Sequence, residues 1–284
     1  MSELNCGINL PHRKAALDSN AKWFPYNKGG TFRRWYGNRE HLVNWENDGQ
    51  ALQTTPDPTG KRIWAHNFNL DHIFKPSLTW TATSSSYFAI RYSGAGFLFD
   101  VKGSSCFPDS KDEMLVLGFL ASAVTTYLVK ILNPSIEFQP GNIGSLPIAV
   151  TSTDWKESLG EELIRKAVTI SRLDWDAYER SWDFQTHPLL IGSTEYTHTI
   201  ESGFANWVKH NNETVYTMKG LEEENNRFFI DAYGLKDELT SEVPIEQITL
   251  TVNPAYRYGM KNTEEERNTR FREDTMAELV SYAI

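Results

Sequence analysis

Hydrophobic positions along this chain follow two different rhythms. From Trp23 to Ser105, aromatic and β-branched residues are punctuated by Gly, Asn, Pro and Asp, the pattern of short strands joined by turns. Tyr87–Tyr92 and Phe97–Val101 read as strands, joined as a hairpin by the Ser93-Gly94-Ala95-Gly96 turn, and Thr54–Gly60 as a surface loop. From Asp112 to Leu132 the spacing turns helical, with Leu115, Phe119, Ala123, Tyr127 and Leu128 near one face; Asn133-Pro134 ends the run. A short extended piece, Ile143–Val150, follows. Beyond it, Thr153 or Asp154 caps a helix predicted over Trp155–Trp182, with Leu159, Leu163, Ala167, Ile170 and Leu173 on one stripe. Further helices are predicted over Tyr196–His210, over Gly220–Ala232 with its acidic Glu222-Glu223-Glu224 opening, and over Thr263–Ile284; Ile248–Val252 reads as a strand. The fold class is therefore α+β: a mixed, β-rich domain over residues 1–150, then a helical domain over 151–284.

Composition narrows this picture. The 284 residues, 40% hydrophobic and 23% charged, are those of a globular chain able to bury a sizeable core. The longest apolar run, Met114–Leu132, is broken by Ser122, Thr125, Thr126 and Lys130, so it reads as a buried helix and no membrane partner is expected. Two cysteines, Cys6 and Cys106, are too few for a disulfide framework or a four-ligand zinc site, and with no visible secretion signal a reducing cytoplasm is expected.

The net charge of −9 argues at first against nucleic acid, but the distribution is uneven. Residues 1–150 carry 14 Lys/Arg against 12 Asp/Glu, and residues 151–284 carry 14 against 25. Within 13–39 seven basic side chains face a single acid, Asp18.

Catalytic signatures are missing. Ser93-Gly94-Ala95-Gly96 runs into Phe97-Leu98-Phe99 rather than into a helix, the wrong context for a loop that cradles S-adenosylmethionine, and no P-loop, nucleophile elbow or clustered Cys/His is present. Asn253-Pro254-Ala255-Tyr256 resembles the Asn-Pro-Pro-Tyr motif of amino-methylating DNA methyltransferases, where the Asn and a proline carbonyl hold the target amino group and the Tyr stacks on the flipped base. Here Ala255 replaces the second proline and the surroundings are acidic, so a proline turn is the better reading and a catalytic fragment the weaker alternative.

The most informative stretch runs from Lys22 through Trp23-Phe24-Pro25-Tyr26-Asn27-Lys28-Gly29-Gly30-Thr31-Phe32-Arg33-Arg34-Trp35-Tyr36-Gly37-Asn38 to Val43-Asn44-Trp45-Glu46-Asn47-Asp48-Gly49. Lys and Arg neutralise phosphates, and Arg and Asn can pair with base edges. Trp23, Phe24, Phe32 and Trp45 are expected in a core, whereas Lys28, Arg33, Arg34, Trp35, Tyr36, Asn38, Arg39 and Asn44 are the candidate DNA-binding residues.

This block resembles the PglX family of adenine-specific DNA methyltransferases of BREX phage-defence systems. The likeness continues through Phe88-Ala89-x-Arg91-Tyr92, Leu132-Asn133-Pro134, Asp174-Trp175-Asp176, Ser181-Trp182-Asp183-Phe184, Asn226-Arg227-Phe228-Phe229-Ile230 and Asn253-Pro254-Ala255-Tyr256-Arg257-Tyr258-Gly259. The helix over 112–132 and the Leu146-Pro147 exit also look like the close of a target-recognition domain in type I specificity subunits and type IIG enzymes. In that family the cofactor loop and the true Asn-Pro-Pro-Tyr motif lie upstream of this block. The resemblance thus implies a target-recognition part of an adenine-N6 methyltransferase that binds double-stranded DNA, holds no cofactor itself, and works with a separate N-terminal methyltransferase domain, which carries S-adenosylmethionine, or with other defence-system subunits. A protein-interaction module that never touches DNA is the rival.

Overall fold

The computed structural model describes residues 5–65, 69–85, 87–150, 155, 160–191 and 199–284. In chain order the elements are α1 (Arg13–Asp18), β1 (Trp23–Asn27), β2 (Leu42–Asn44), α2 (Glu46–Thr54), β3 (Ser77–Thr81), β4 (Ile90–Ser93), β5 (Leu98–Phe99), β6 (Gly103–Cys106), α3 (Glu113–Ala121), α4 (Ala123–Leu132), α5 (Pro140–Gly144), α6 (Glu161–Asp176), α7 (Ile200–Ala232), α8 (Pro254–Tyr258) and α9 (Glu264–Ala283). The fold is α+β. Two compact units share the chain: Met1–Phe32, Asn38–Glu113 and Val129–Leu146 form the first, and Arg33–Gly37, Met114–Leu128 and Pro147–Ile284 the second. Two segments from the first half of the sequence, Arg33–Gly37 and Met114–Leu128, belong to the second unit.

In the first unit, two three-stranded sheets are present among the described residues, ordered β2-β1-β5 and β4-β3-β6. β1 pairs antiparallel with β2 (Phe24 opposite Val43) and parallel with β5 (Tyr26 opposite Leu98). β3 pairs antiparallel with both β4 and β6. The hairpin expected across Ser93-Gly94-Ala95-Gly96 does not form: the turn carries the chain from β4 in one sheet to β5 in the other. The aromatics that alternate along β1 explain its place. Phe24 is buried with Ala16, Ala21, Trp45, Ile73, Phe74 and Leu98, and its ring meets Phe74 edge-on at 5.7 Å. Phe24 and Trp45 are in the core as expected; Trp23 and Phe32 are only partly buried. Pro140 opens the short helix α5, which takes Ile143 and Gly144 from the extended piece expected over Ile143–Val150; residues 145–150 are not helical.

The helical run over 112–132 breaks into α3 and α4, bent by 71° at Ser122. Ser122 and Thr125 both donate their hydroxyls to the Phe119 carbonyl (2.7 and 2.6 Å), diverting it from the helical ladder. The freed ends find partners on α7: Asn225 Nδ2 donates to the Gly118 carbonyl (2.9 Å) and Asn226 Oδ1 accepts from the Ala123 amide (2.8 Å). Among the described residues no single helix is long and apolar enough to cross a membrane.

α7 runs unbroken for 33 residues where two helices were expected. Its buried face is Asn211, Val215, Met218, Glu222, Asn225, Asn226, Phe229 and Ile230. Spacing is helical throughout, but polar residues occupy half of that stripe, so the apolar period vanishes from the sequence while the geometric one persists. The expected start at Tyr196 lies outside the described residues. The predicted Trp155–Trp182 helix is described as α6, Glu161–Asp176; its expected caps Thr153 and Asp154, and Leu159, also lie outside the described residues. The buried face of α6 is Leu163, Ile164, Ala167, Ser171, Asp174 and Trp175, and Leu173 points to solvent at 66% exposure, rotating the expected stripe toward polar residues. Ile248–Val252 is buried but forms no strand; it is a turn after a 3₁₀ segment at Ile245–Gln247. α9 starts with a reciprocal capping box between Thr263 and Glu266.

Candidate nucleic-acid interface

The eight candidate residues part company. Arg33, Arg34, Trp35 and Tyr36, expected to face DNA, lie within the second unit and are buried. Arg33 Nη2 pairs with Asp174 Oδ2 at 2.6 Å, both side chains 2% exposed. Its Nε donates to the Tyr36 carbonyl (2.8 Å) and its Nη1 to Thr251 Oγ1 (3.0 Å). The guanidinium also lies 5.0 Å from the Trp175 ring. Arg34 Nη2 lies 2.9 Å from Glu222 Oε2 and donates to the Gln247 carbonyl, while the Arg34 amide donates to Thr249 Oγ1. Trp35, whose φ of +69° is an uncommon left-handed conformation for a bulky residue, donates Nε1 to Glu222 Oε1 at 2.8 Å. Burial pushes the Glu222 carboxyl up, opposed by Arg34 and Trp35. The two arginines are thus electrostatic pins of the interior: Asp174 on α6 and Glu222 on α7 lie 141 and 188 positions away in sequence, so no local pattern could reveal the pairing.

Asn38 is buried and donates Nδ2 to the Thr31 carbonyl (3.0 Å), fastening the loop ahead of it. Arg39 is partly buried, with its guanidinium 4.1 Å from the Phe97 ring centroid. Asn44, on β2, is partly buried and accepts from the Glu46 amide at 3.1 Å. Of the eight, Lys28 is the exposed cation.

Lys28 sits where β1 ends. Asn27 is buried and donates to Ser93 Oγ (3.1 Å), holding the end of the strand still. The chain then turns at Gly29 (φ +88°), and Thr81 Oγ1 on β3 accepts from the Gly30 amide and donates to its carbonyl, both at 3.1 Å. Facing this loop is the Asp100–Gly103 turn, in which Asp100 Oδ1 accepts from the Lys102 and Gly103 amides (2.7 and 2.9 Å); burial, and then a hydrogen bond to the Asp100 side chain, push the Tyr26 hydroxyl pKa up. Gly103 packs against the Asn27 carbonyl and the Lys28 amide so closely that a β-carbon there would run into both. The two loops meet at their backbones, and each carries an exposed lysine, Lys28 and Lys102. Sequence reasoning missed Lys102, since only the parallel β1–β5 pairing places it beside Lys28.

Asn253 does not form a free amide. It is 2% exposed, donates Nδ2 to the Ile245 and Ile248 carbonyls (2.7 and 2.8 Å) and accepts at Oδ1 from the Ala255 amide, capping α8. Both amide hydrogens of that side chain are spent on backbone carbonyls, and its oxygen already accepts from backbone. The Ser93–Gly96 turn leads into β5, not a helix.

No protein-family model matches the chain. Over 229 residues, 80% of its length, it is 41% identical to the adenine-specific methyltransferase PglX of Lacticaseibacillus casei (strain Zhang). Over 268 residues, 93% of its length, it is 33% identical to the adenine-specific methyltransferase BrxX of Escherichia coli O9:H4 (strain HS). The chain is a homologue of both. The resemblance read from its motifs therefore holds over most of its length. The chain spans only 19% of PglX and 21% of BrxX, about a fifth of each.

Proposed function

We propose that this chain is a DNA-engaging part of a site-specific adenine-N6 DNA methyltransferase of a phage-defence system of the BREX kind, and that it grips duplex DNA through the Lys28–Lys102 double loop. In this reading it acts in the cytoplasm and leaves methyl transfer, with S-adenosylmethionine, to another domain. The observation that carries the reading is the double loop itself, in a chain homologous to adenine-specific methyltransferases. Two lysines project from backbone pinned by Thr81, Asn27 and Asp100, so phosphate contact costs little ordering of the chain. The acidic second unit keeps DNA on the first by repulsion.

The test is fluorescence anisotropy with a duplex of about 30 base pairs at several salt concentrations. Each lysine that neutralises one phosphate adds about 0.9 to the slope of log affinity against log salt, so Lys28→Ala with Lys102→Ala should weaken binding and flatten that slope by about 1.8. An unchanged slope in a folded double variant defeats the reading and favours the rival, a protein-interaction module, for which the internal use of Arg33 and Arg34 already speaks.

A further inference from the structure

The second unit holds a cleft of about 330 Å³ between α7, α8 and α9, at the small end of the roughly 300–1,000 Å³ typical of ligand sites. Its lining is mixed: Val215 from α7, Ala255 from α8 and Phe271 from α9 are buried, at 5%, 7% and 3% exposed, beside the side-chain amides of Asn211, Asn212 and Asn268. Phe204 adds a second aromatic ring, and Phe271 is backed by a stacked Trp207 at 5.3 Å, which fixes the plane of the wall. Among these groups lies Asn211, 5% exposed, whose Nδ2 is buried without a hydrogen-bond partner. A buried donor left unpaired is unfavourable, so an acceptor placed against it is rewarded. The rim carries one acid and one base, Glu264 and Arg267, and so favours neither sign of charge.

We propose that this cleft binds a small, neutral, planar ring compound bearing a carbonyl acceptor. The Phe204 and Phe271 rings suit a flat ring, the balanced rim gives an ion no net charge to pair with, and the Asn211 amide needs an acceptor. The site is independent of DNA binding by the first unit, and the two readings fail separately.

Benzamide and nicotinamide serve as probes, with toluene (a ring without an acceptor) and benzoate (a charged ring) as controls, titrated into the 284-residue chain while the Asn211 side-chain amide is followed by NMR. Benzamide and nicotinamide should saturate at millimolar concentration and shift that amide; toluene and benzoate should bind at least tenfold more weakly. Asn211→Leu should bring benzamide down to the level of toluene, and Val215→Trp should abolish both. Equal binding of toluene and benzamide, an amide resonance in the parent chain that does not move, or no saturable binding would overturn the proposal. The parent-chain resonance decides the matter even if a variant fails to fold.

Discussion

Replacing Asp174 by alanine asks directly whether the Arg33 guanidinium belongs to the interior. Asp174 Oδ2 accepts from Arg33 (2.6 Å) and from the Thr251 amide (2.8 Å), and Oδ1 accepts from the Val252 amide (3.0 Å). With both side chains 2% exposed, the change strands a cation in a site of low dielectric along with two backbone donors. Breaking a buried pair from one side costs about 3–5 kcal/mol, a large part of the roughly 5–15 kcal/mol that holds a domain folded. The reciprocal change, Arg33→Met, should cost at least about 1 kcal/mol less: the carboxylate keeps two amide donors, and the methionine chain fills much of the same apolar space. Urea unfolding followed by tryptophan fluorescence suits both variants, because Trp175 is 2% exposed and lies 5.0 Å from the Arg33 guanidinium and 4.1 Å from that of Arg180. A loss below about 1 kcal/mol in Asp174→Ala, or a larger loss in Arg33→Met than in Asp174→Ala, would refute the reasoning. Were Arg33 a phosphate ligand, Arg33→Met would leave stability intact and lower DNA affinity instead.

Gly103→Ala should lower the stability of the first unit by about 1–3 kcal/mol and loosen the Lys28 loop, since the added carbon meets the Asn27 carbonyl; thermal unfolding checks it, and a neutral result would mean the double loop is not tight. Asn226→Ala removes the acceptor for the first amide of α4 and should cost about 1–3 kcal/mol, measurable as a drop in the urea midpoint of the second unit. Burial pushes the Cys106 thiol up from 9.0 to about 12, so it should react with a thiolate-selective reagent at pH 8 far more slowly in the folded chain than after unfolding. The same shift has a stability sign: between pH 9 and 12 the folded state holds a proton that the unfolded thiol has released, so this group's stabilising contribution is whole below pH 9 and declines as pH rises toward 12. Cys106→Ser should remove that part of the alkaline loss.

Short-range features were legible in the residues themselves. Thr263 and Glu266 form the expected helix start, Asn133-Pro134 ends α4, and Phe24 and Trp45 are core, because caps, prolines and large aromatics act through neighbours or through sheer apolar area. The likeness of the whole block to PglX was also readable, since it rests on strings of identities. What only the tertiary structure decided is which polar groups are spent inside. Seven basic side chains in a row of twenty-seven positions promise a cationic face, yet Arg33 and Arg34 answer to Asp174 and Glu222, and Asn211, Asn225 and Asn226 take core positions on α7. A charge or amide is affordable in the interior only when a partner is there, and such partners come from elements far along the chain. The same reason separates Lys28 from its neighbours: it is exposed and forms no ion pair with a buried acid among the described residues, and the parallel pairing of β1 with β5, invisible in either strand alone, brings the exposed Lys102 close to it in the fold.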